Sequence, residues 1–297
     1  MKTERNILIA FILNFGFSFF ELIGGFFTGS VAILSDAVHD IGDAASIGIS
    51  YFLERKSKKE PDETYTYGYA RFSVLGGLIT TLILLFGSVA MICSAVGRMV
   101  TPVPIHYNGM ILFALVGACV NFCAAFFTRE GGSVNQRAVN LHMLEDVLGW
   151  IVVLVGAVVM RFTDFPLIDP IMSIGVSIFI FINALRHLKE VLDLFLEKAP
   201  CDTLEIREHL LHIPGVLDVH HIHIWSMDGL NHYATMHVVT GCDPHEVKHA
   251  IREELRHHGI THVTLELESE TEHCHERQCC IMAETSHHHH HHHGHKH

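Results

Sequence analysis

The stretch that decides how this chain is built reads Leu34-Ser35-Asp36-Ala37-Val38-His39-Asp40-Ile41-Gly42-Asp43. It lies within an apolar run from about residue 31 to 53, which is long enough to cross the hydrocarbon core of a bilayer. Ionisable side chains at that depth cost about 2.5–3.5 kcal/mol each on insertion scales, so they usually face a bundle interior or a polar pathway. His39 and Asp43 are four residues apart, which places them on one face of a helix, one turn from each other.

A second pair with the same spacing, His142 and Asp146, occurs in another hydrophobic segment. A single pair of this kind has two equally good explanations, a metal site or a buried histidine that is hydrogen-bonded to a neighbouring aspartate. Two copies favour a metal site, because a purely structural role would have to bury four ionisable groups. Two imidazoles and two carboxylates facing each other form a tetrahedral donor set of the kind that zinc accepts.

Hydropathy predicts six transmembrane helices. Their approximate ranges are 7–27, 31–53, 72–97, 108–127, 141–160 and 168–187. The first span contains Asn14 and Glu21, which are seven residues apart and therefore share a face. For Glu21, a role as a proton relay and a simpler pairing with another helix both remain open.

Basic residues predict the orientation of these helices. With a cytoplasmic N-terminus, the inner loops collect nine lysines and arginines and the outer loops only Arg98 and Arg161. The inner set is Lys2, Arg5, Arg55, Lys56, Lys58, Lys59, Arg71, Arg129 and Arg137. Because positive residues remain on the cytoplasmic side, both termini are expected there, in an inner or plasma membrane. The first apolar run lacks a signal-peptide cleavage pattern and is expected to stay as an anchor.

Composition restricts the possible partners. The formal net charge of −12 argues against nucleic acid as a partner, since binding to phosphates requires a basic surface. Of the eight cysteines, three lie in apolar helices, two are isolated and three cluster near the C-terminus, a distribution unlike a disulfide framework. The soluble part is therefore expected to face a reducing cytosol.

From Asp202 the pattern changes to that of a soluble α/β domain. The predicted order is helix, strand, strand, helix, strand, at residues 204–213, 216–227, 233–240, 244–257 and 260–268. This αββαβ order predicts a small sheet with helices on one face. The expected division is a six-helix membrane domain at 1–199, a cytosolic domain at 200–269 and a disordered tail at 270–297.

Histidines concentrate in the predicted strands. Alternation places His221 and His223 on one face of the first strand and His220 on the other. His237 lies in the second strand and His262 in the third, so that together with Glu268 they favour a second, cytosolic metal site. The tail ends in seven consecutive histidines followed by Gly294-His295-Lys296-His297, and both a native metal-gathering role and a purification tag explain it.

The chain resembles the cation diffusion facilitator family, and most closely its zinc-transporter branch. Four segments carry the resemblance, namely residues 29–40 with Asp43, Tyr67-Gly68-Tyr69-Ala70-Arg71, residues 142–146 and residues 219–226. The resemblance implies a six-helix transmembrane bundle, a small ferredoxin-like cytosolic domain, a homodimer, and export of zinc coupled to protons. It covers about residues 5–269.

The resemblance also implies the site residues. Those matching the family's transport site are His39, Asp43, His142 and Asp146. Those matching positions that bind zinc in the cytosolic domain of some members are His220, His237, His262 and Glu268. Tail cysteines complete that site in some relatives, a role that Cys274 or Cys279 would take here. The loop between the fourth and fifth helices, Arg129 to Gln136, lacks the histidines that relatives of this branch often carry there.

Three other readings differ from zinc transport. Imidazole also suits cobalt and nickel, so export of these ions, or of cadmium, by the same mechanism stays open. A zinc protease acting in the membrane would need a His-Glu-x-x-His motif, and none of the six predicted spans contains it, so no enzyme activity is expected. A membrane-anchored metal sensor would leave the two intramembrane pairs unexplained.

Overall fold

The structure is a computed structural model that describes residues 2–28, 31–100, 107–130, 133–163 and 168–271. Within these ranges the side chains of some helical residues, chiefly 24–39, are not described. The chain divides into two compact units, one built from the first six helices and the other from two helices and three strands.

Six long helices form the first unit. They are α1 (Lys2–Thr28), α2 (Val31–Ser57), α3 (Arg71–Val100), α4 (Tyr107–Thr128), α5 (Val134–Thr163) and α6 (Ile168–Phe195). Helix α5 contacts each of the other five, while α1 also packs along α2 and α4, and α3 along α2 and α6. The predicted six helices are confirmed, with α5 at the centre of their packing.

The surface of this unit is that of a membrane protein. Within the described residues, four helical segments are long and apolar enough to cross a membrane, namely Thr3–Ile23, Arg71–Gly97, Ile111–Thr128 and Val134–Val159. Large apolar side chains such as Phe86, Phe122 and Phe162 point outward and are 73, 60 and 83% exposed. Because water would penalise such a surface and lipid would not, the bundle is a multi-pass membrane domain.

Several helices extend beyond the apolar spans. Helix α5 begins at Val134 rather than near residue 141, so Asn135 and Gln136, predicted in a loop, lie in its first turn and are fully buried. Gln136 Nε2 donates a hydrogen bond to the carbonyl oxygen of Thr128. Hydropathy identifies only the part of a helix that crosses lipid. The helix continues beyond that part here because neighbouring helices supply hydrogen-bond partners for its polar side chains.

A buried polar cluster joins α2, α3 and α5. Glu54 is 3% exposed, and its Oε2 accepts hydrogen bonds from Ser73 at 2.7 Å and from Ser133 and Asn135 at 3.3 Å. Asn135 Nδ2 also donates to the carbonyl oxygen of Ser50 at 2.9 Å. Because Glu54 of α2 is hydrogen-bonded both to α3 and to the start of α5, this cluster fixes the relative positions of the three helices.

The second unit is an αββαβ fold. It contains α7 (Thr203–Leu211), β1 (Val216–Ser226), β2 (His232–Thr240), α8 (Pro244–His257) and β3 (Ile260–Glu268). The sheet order is β1-β2-β3, and β2 pairs with β3 in parallel. Asp202 and Asp243 cap the two helices by accepting hydrogen bonds from the backbone N–H groups of Leu204 and His245.

The core of this unit lies between the helices and one face of the sheet. Helix α8 contributes Val247, Ile251 and Leu255, which pack with Met236 and Val238 of β2. Side chains at odd positions of β2, including His237, therefore point to the opposite face. The predicted sheet with helices on one face is confirmed.

Candidate metal centres

The first candidate centre lies among the membrane helices. Asp43 of α2 approaches His142 and Asp146 of α5, and one ligand atom from each lies within 4.8 Å of the others. His142 Nε2 is 3.8 Å from Asp43 Oδ1, and the two residues are 3 and 6% exposed. The contact between α2 and α5 thus brings together residues that are about a hundred positions apart in the chain.

Apolar packing explains why the two helices meet there. Ile47 lies one turn beyond Asp43, and Met143 is next to His142; both are fully buried in one cluster with Ile7 of α1. Burying large aliphatic side chains on both sides of the polar groups holds the carboxylate and the imidazole at a fixed depth. The site is therefore built on rigid helix faces and not on loops.

His39 was predicted as the fourth residue of this centre. The backbone of α2 places it one turn before Asp43, but its side chain, like that of Asp36, lies outside the described residues. Its role as a ligand therefore stays a prediction.

The donor set fits a metal ion better than it fits ordinary packing. Neither ring nitrogen of His142 has a hydrogen-bond partner among the described residues, although buried polar atoms are normally paired. A pair of carboxylates beside an imidazole would compensate the charge of a divalent cation. Asp43, His142 and Asp146 therefore form a candidate site for such an ion.

Asn14 belongs to the same centre, and sequence reasoning missed this role. It is 2% exposed on α1, and its Nδ2 donates a hydrogen bond of 3.5 Å to Asp146 Oδ2. The spacing of Asn14 and Glu21 indicated a polar face on the first helix but not what it faces. This hydrogen bond orients the Asp146 carboxylate within the candidate centre.

The second candidate centre lies on the outer face of the soluble sheet. His237 Nδ1 is 2.6 Å from Glu268 Oε1, and His220 Nε2 is 3.5 Å from Glu268 Oε2. The rings of His220 and His237 have centroids 5.4 Å apart, and Glu268 is 6% exposed. Neither ring nitrogen of His220 has a hydrogen-bond partner among the described residues. Two imidazoles and one carboxylate supply three of the four ligands of a tetrahedral zinc site, and the fourth position stays open.

The strand carrying His220 departs from the predicted alternation. Val219 and Ile222 both face the core, and His221 between them has a positive φ of 49°. This local kink turns His220 and His221 toward the same side, where both rings contact His237. The expectation that His220 points away from His221 is wrong, because a bulge breaks the period of two.

Asp218 lies beside the His220 ring, two positions earlier in β1. Partial burial raises the pKa of the Asp218 carboxyl, but hydrogen bonds from Arg207 and from the backbone N–H of Val219 outweigh it, and the net pKa is lowered. Asp218 Oδ2 lies 3.4 Å from His220 Nδ1. The carboxylate adds negative charge beside the His220 ring.

The structure does not bring His262 into this centre. It pairs with Tyr233 in the register of β2 and β3, four positions before the pair of His237 and Glu266, and its ring packs on Tyr233 at 5.5 Å. At roughly 3.3 Å per residue, that separation is about 13 Å along the sheet. The other predicted members, Cys274 and Cys279, lie outside the described residues.

The chain does contain one His-Glu-x-x-His sequence, in the soluble domain. It runs from His245 to His249 at the start of α8, and both histidines are exposed. No third ligand approaches them among the described residues, so this segment does not form the three-ligand site of a zinc protease.

Comparison with known proteins agrees with this architecture. A family model described as the cation efflux transmembrane domain matches residues 7–196, and one described as the cation efflux protein cytoplasmic domain matches residues 200–270. The chain is 31% identical over 305 residues to the zinc transporter ZitB of Escherichia coli (strain K12), covering 100% of this chain and 94% of that protein.

Two further relatives carry broader names. The cadmium, cobalt and zinc/H(+)-K(+) antiporter of Bacillus subtilis (strain 168) is 31% identical over 284 residues, covering 92% of this chain and 91% of that protein. The metal cation efflux system protein CzcD of Cupriavidus metallidurans is 30% identical over 276 residues, covering 89 and 86%. Because family models match both units of the fold and full-length relatives align with it, the chain belongs to the cation efflux, or cation diffusion facilitator, family.

Proposed function

We propose that this protein exports zinc from the cytosol across a membrane in exchange for protons. The observation that carries the proposal is the buried cluster of Asp43, His142 and Asp146 between membrane helices. His39, one turn before Asp43 on α2, is proposed as the fourth ligand. The names of the zinc transporter and antiporter relatives support the same activity.

The donor set favours zinc over harder ions. Magnesium and manganese prefer sites made of oxygen ligands, whereas imidazole suits zinc, cobalt and nickel. One imidazole with two carboxylates, and a second imidazole if His39 joins them, matches the tetrahedral preference of zinc.

Protons compete with the metal for the same ligands. Only neutral imidazole binds metal, and free imidazole has a pKa of about 6.5, close to cytosolic pH. Metal binding therefore displaces protons from histidine ligands, and an acidic outer side reverses the exchange. Because the chain has no Gly-x-x-x-x-Gly-Lys-Ser/Thr motif for ATP, a proton gradient is the proposed energy source.

Proteoliposomes with an internal pH dye test the coupling. When a zinc gradient drives zinc across the membrane, protons should move in the opposite direction, and an imposed pH gradient should accelerate zinc movement. Vesicles containing the Asp43→Asn variant control for leakage of either ion. Full zinc flux without proton movement or pH sensitivity would refute exchange and leave facilitated diffusion.

A second candidate differs only in the ion. The antiporter relative is named for cadmium and cobalt as well as zinc, and the same ligands accept cobalt and nickel. The same vesicles distinguish these substrates when zinc, cobalt, nickel, cadmium and manganese are compared at equal free concentration. If zinc has the fastest flux, the first proposal is supported. If another ion is faster, that ion replaces zinc as the proposed substrate.

The soluble domain is proposed to face the cytoplasm and to bind regulatory zinc at His220, His237 and Glu268. Cys274 or Cys279 would complete that site. A homodimer formed through this domain and cytoplasmic positions for both termini, in an inner or plasma membrane, belong to the same proposal. The basic inner loops support the orientation.

The zinc content of substituted proteins tests the regulatory site. Full-length protein is saturated with zinc, washed with a moderate chelator and analysed for bound metal. His237→Ala and Glu268→Gln should each retain one zinc fewer per chain than the parent, because both residues hold the same ion. His262→Ala is the matched control and should retain the parental content. An equal loss in His262→Ala would contradict the geometry and restore the ligand set predicted from the sequence.

A further inference from the structure

A third group of ligand-type side chains joins the two helices of the soluble domain. His209 lies in the last turn of α7, Glu254 in the last turns of α8, and His258 is the C-cap of α8. Glu254 and His258 are four residues apart and share one face of the helix. The packing of α7 against α8 brings His209 to that face.

The two separations to Glu254 are close to those of metal ligands, and the one between the imidazoles is shorter. His209 Nδ1 is 2.8 Å from His258 Nε2 and 3.7 Å from Glu254 Oε1, and His258 Nε2 is 3.5 Å from the same oxygen. Ligands about 2.0–2.2 Å from a tetrahedral zinc lie about 3.3–3.6 Å from one another. Moving the two imidazoles apart by less than an ångström would therefore be enough to admit an ion.

The electrostatic setting also suits a cation. The carboxylate of Glu254 supplies negative charge, and the two helices end at this point with their C-terminal carbonyl groups. A positive charge is favoured at a helix C-terminus. Two helix ends and one carboxylate thus act on the same position.

The cluster is accessible from solvent. The side chains of His209, Glu254 and His258 are 42, 36 and 21% exposed. His209 and Glu254 border an open depression of about 480 Å³ to which His212 and His257 also contribute. A metal ion could enter directly and keep a water molecule as its fourth ligand.

We propose that His209, Glu254 and His258 form an additional metal site that takes a divalent transition ion such as zinc, cobalt or nickel and links α7 to α8. The site is separate from the group of His220, His237 and Glu268, because the helices cover one face of the sheet and His237 points to the other. Metal bound there stabilises the contact between the two helices, since the three ligands come together only in the folded domain.

Hydrogen exchange measured by mass spectrometry tests this site locally in the full-length protein. Without metal, peptides covering residues 204–213 and 250–259 report the opening of the two helices. Zinc at ten times its dissociation constant should slow the exchange of these peptides about tenfold, for those amides whose exchange requires an opening that separates the three ligands. Zinc bound at His220, His237 and Glu268 would also stabilise the domain and slow this exchange, so substitutions are needed to assign the effect.

Substitutions assign the effect to the three residues. His209→Ala and His258→Gln should each lose the zinc-dependent protection, and the second keeps a side chain that can hydrogen-bond if the first impairs folding. His245→Ala is the control, because it breaks the exposed pair of His245 and His249 on the same helix and should retain the protection. Absence of protection in the parent, or its persistence in both His209→Ala and His258→Gln, would overturn the proposal.

Discussion

Zinc flux in proteoliposomes should fall by more than about 100-fold when Asp43 is replaced by asparagine. Loss of a residue that merely orients a ligand typically costs 10–100-fold in metal affinity, and Asp43 is itself a proposed ligand, so this range is a lower bound. The substitution keeps the shape of the side chain but removes its negative charge. Asp43 is 6% exposed, and its Oδ1 lies 3.8 Å from His142 Nε2. A divalent ion would then occupy the buried site with less compensation of its charge.

Two further variants complete this experiment. Asp193→Asn makes the same chemical change at a partly exposed ion pair with Lys198 and should transport at the parental rate. Asn14→Ala removes the hydrogen bond to Asp146 and should reduce zinc affinity about 10–100-fold, because it disturbs the orientation of the ligand and not the ligand itself. Parental flux in a well-folded Asp43→Asn protein would exclude this cluster as the transport site.

Replacing Asn135 by alanine should destabilise the membrane domain by about 2–4 kcal/mol. The fully buried amide donates to the carbonyl oxygen of Ser50 and to Glu54, and it accepts a hydrogen bond from Ser50 Oγ. Its loss would leave a buried carboxylate with fewer donors. For a domain of this size the change corresponds to a fall of about 5–10 °C in the midpoint of thermal denaturation.

Thermal denaturation in detergent, followed by size-exclusion chromatography, measures this effect. Asn183→Ala is the control, because Asn183 accepts a hydrogen bond from the exposed side chain of Arg186 and its loss should shift the midpoint little. Gly76→Ala perturbs the same cluster differently, since an added Cβ would lie 2.6 Å from Asn135 Oδ1. If Asn135→Ala and Asn183→Ala have the same midpoint of thermal denaturation, the buried cluster does not hold the three helices together.

Much of the fold follows directly from the sequence. Long apolar runs exclude a water-soluble bundle, and the ranges predicted after the change of pattern at Asp202 agree with the soluble elements to within two residues. These features depend on local hydropathy and on hydrogen bonds within a few positions, which a sequence records explicitly. The polar extension of α5 was not predicted, because its stability depends on hydrogen-bond partners in α2 and α4.

The candidate sites divide in the same way. The repeated spacing of histidine and aspartate predicted a face on each of two helices, and the structure brings Asp43, His142 and Asp146 together as expected. The role of Asn14 required knowing which face of α1 meets α5. No short sequence motif predicts the group of His209, Glu254 and His258, because His209 and Glu254 are 45 positions apart.

The sequence by itself determined the membrane helices, the αββαβ order and the residue types capable of binding zinc. Only the tertiary structure decided which of those residues share a site. His262 has the same chemistry as His237, yet the parallel register of β3 places it beside Tyr233, while the positive φ of His221 turns His220 toward Glu268. The physical reason is that ligand types are a property of single residues, whereas a site requires atoms within a few ångströms, and strand register, bulges and helix packing set those distances.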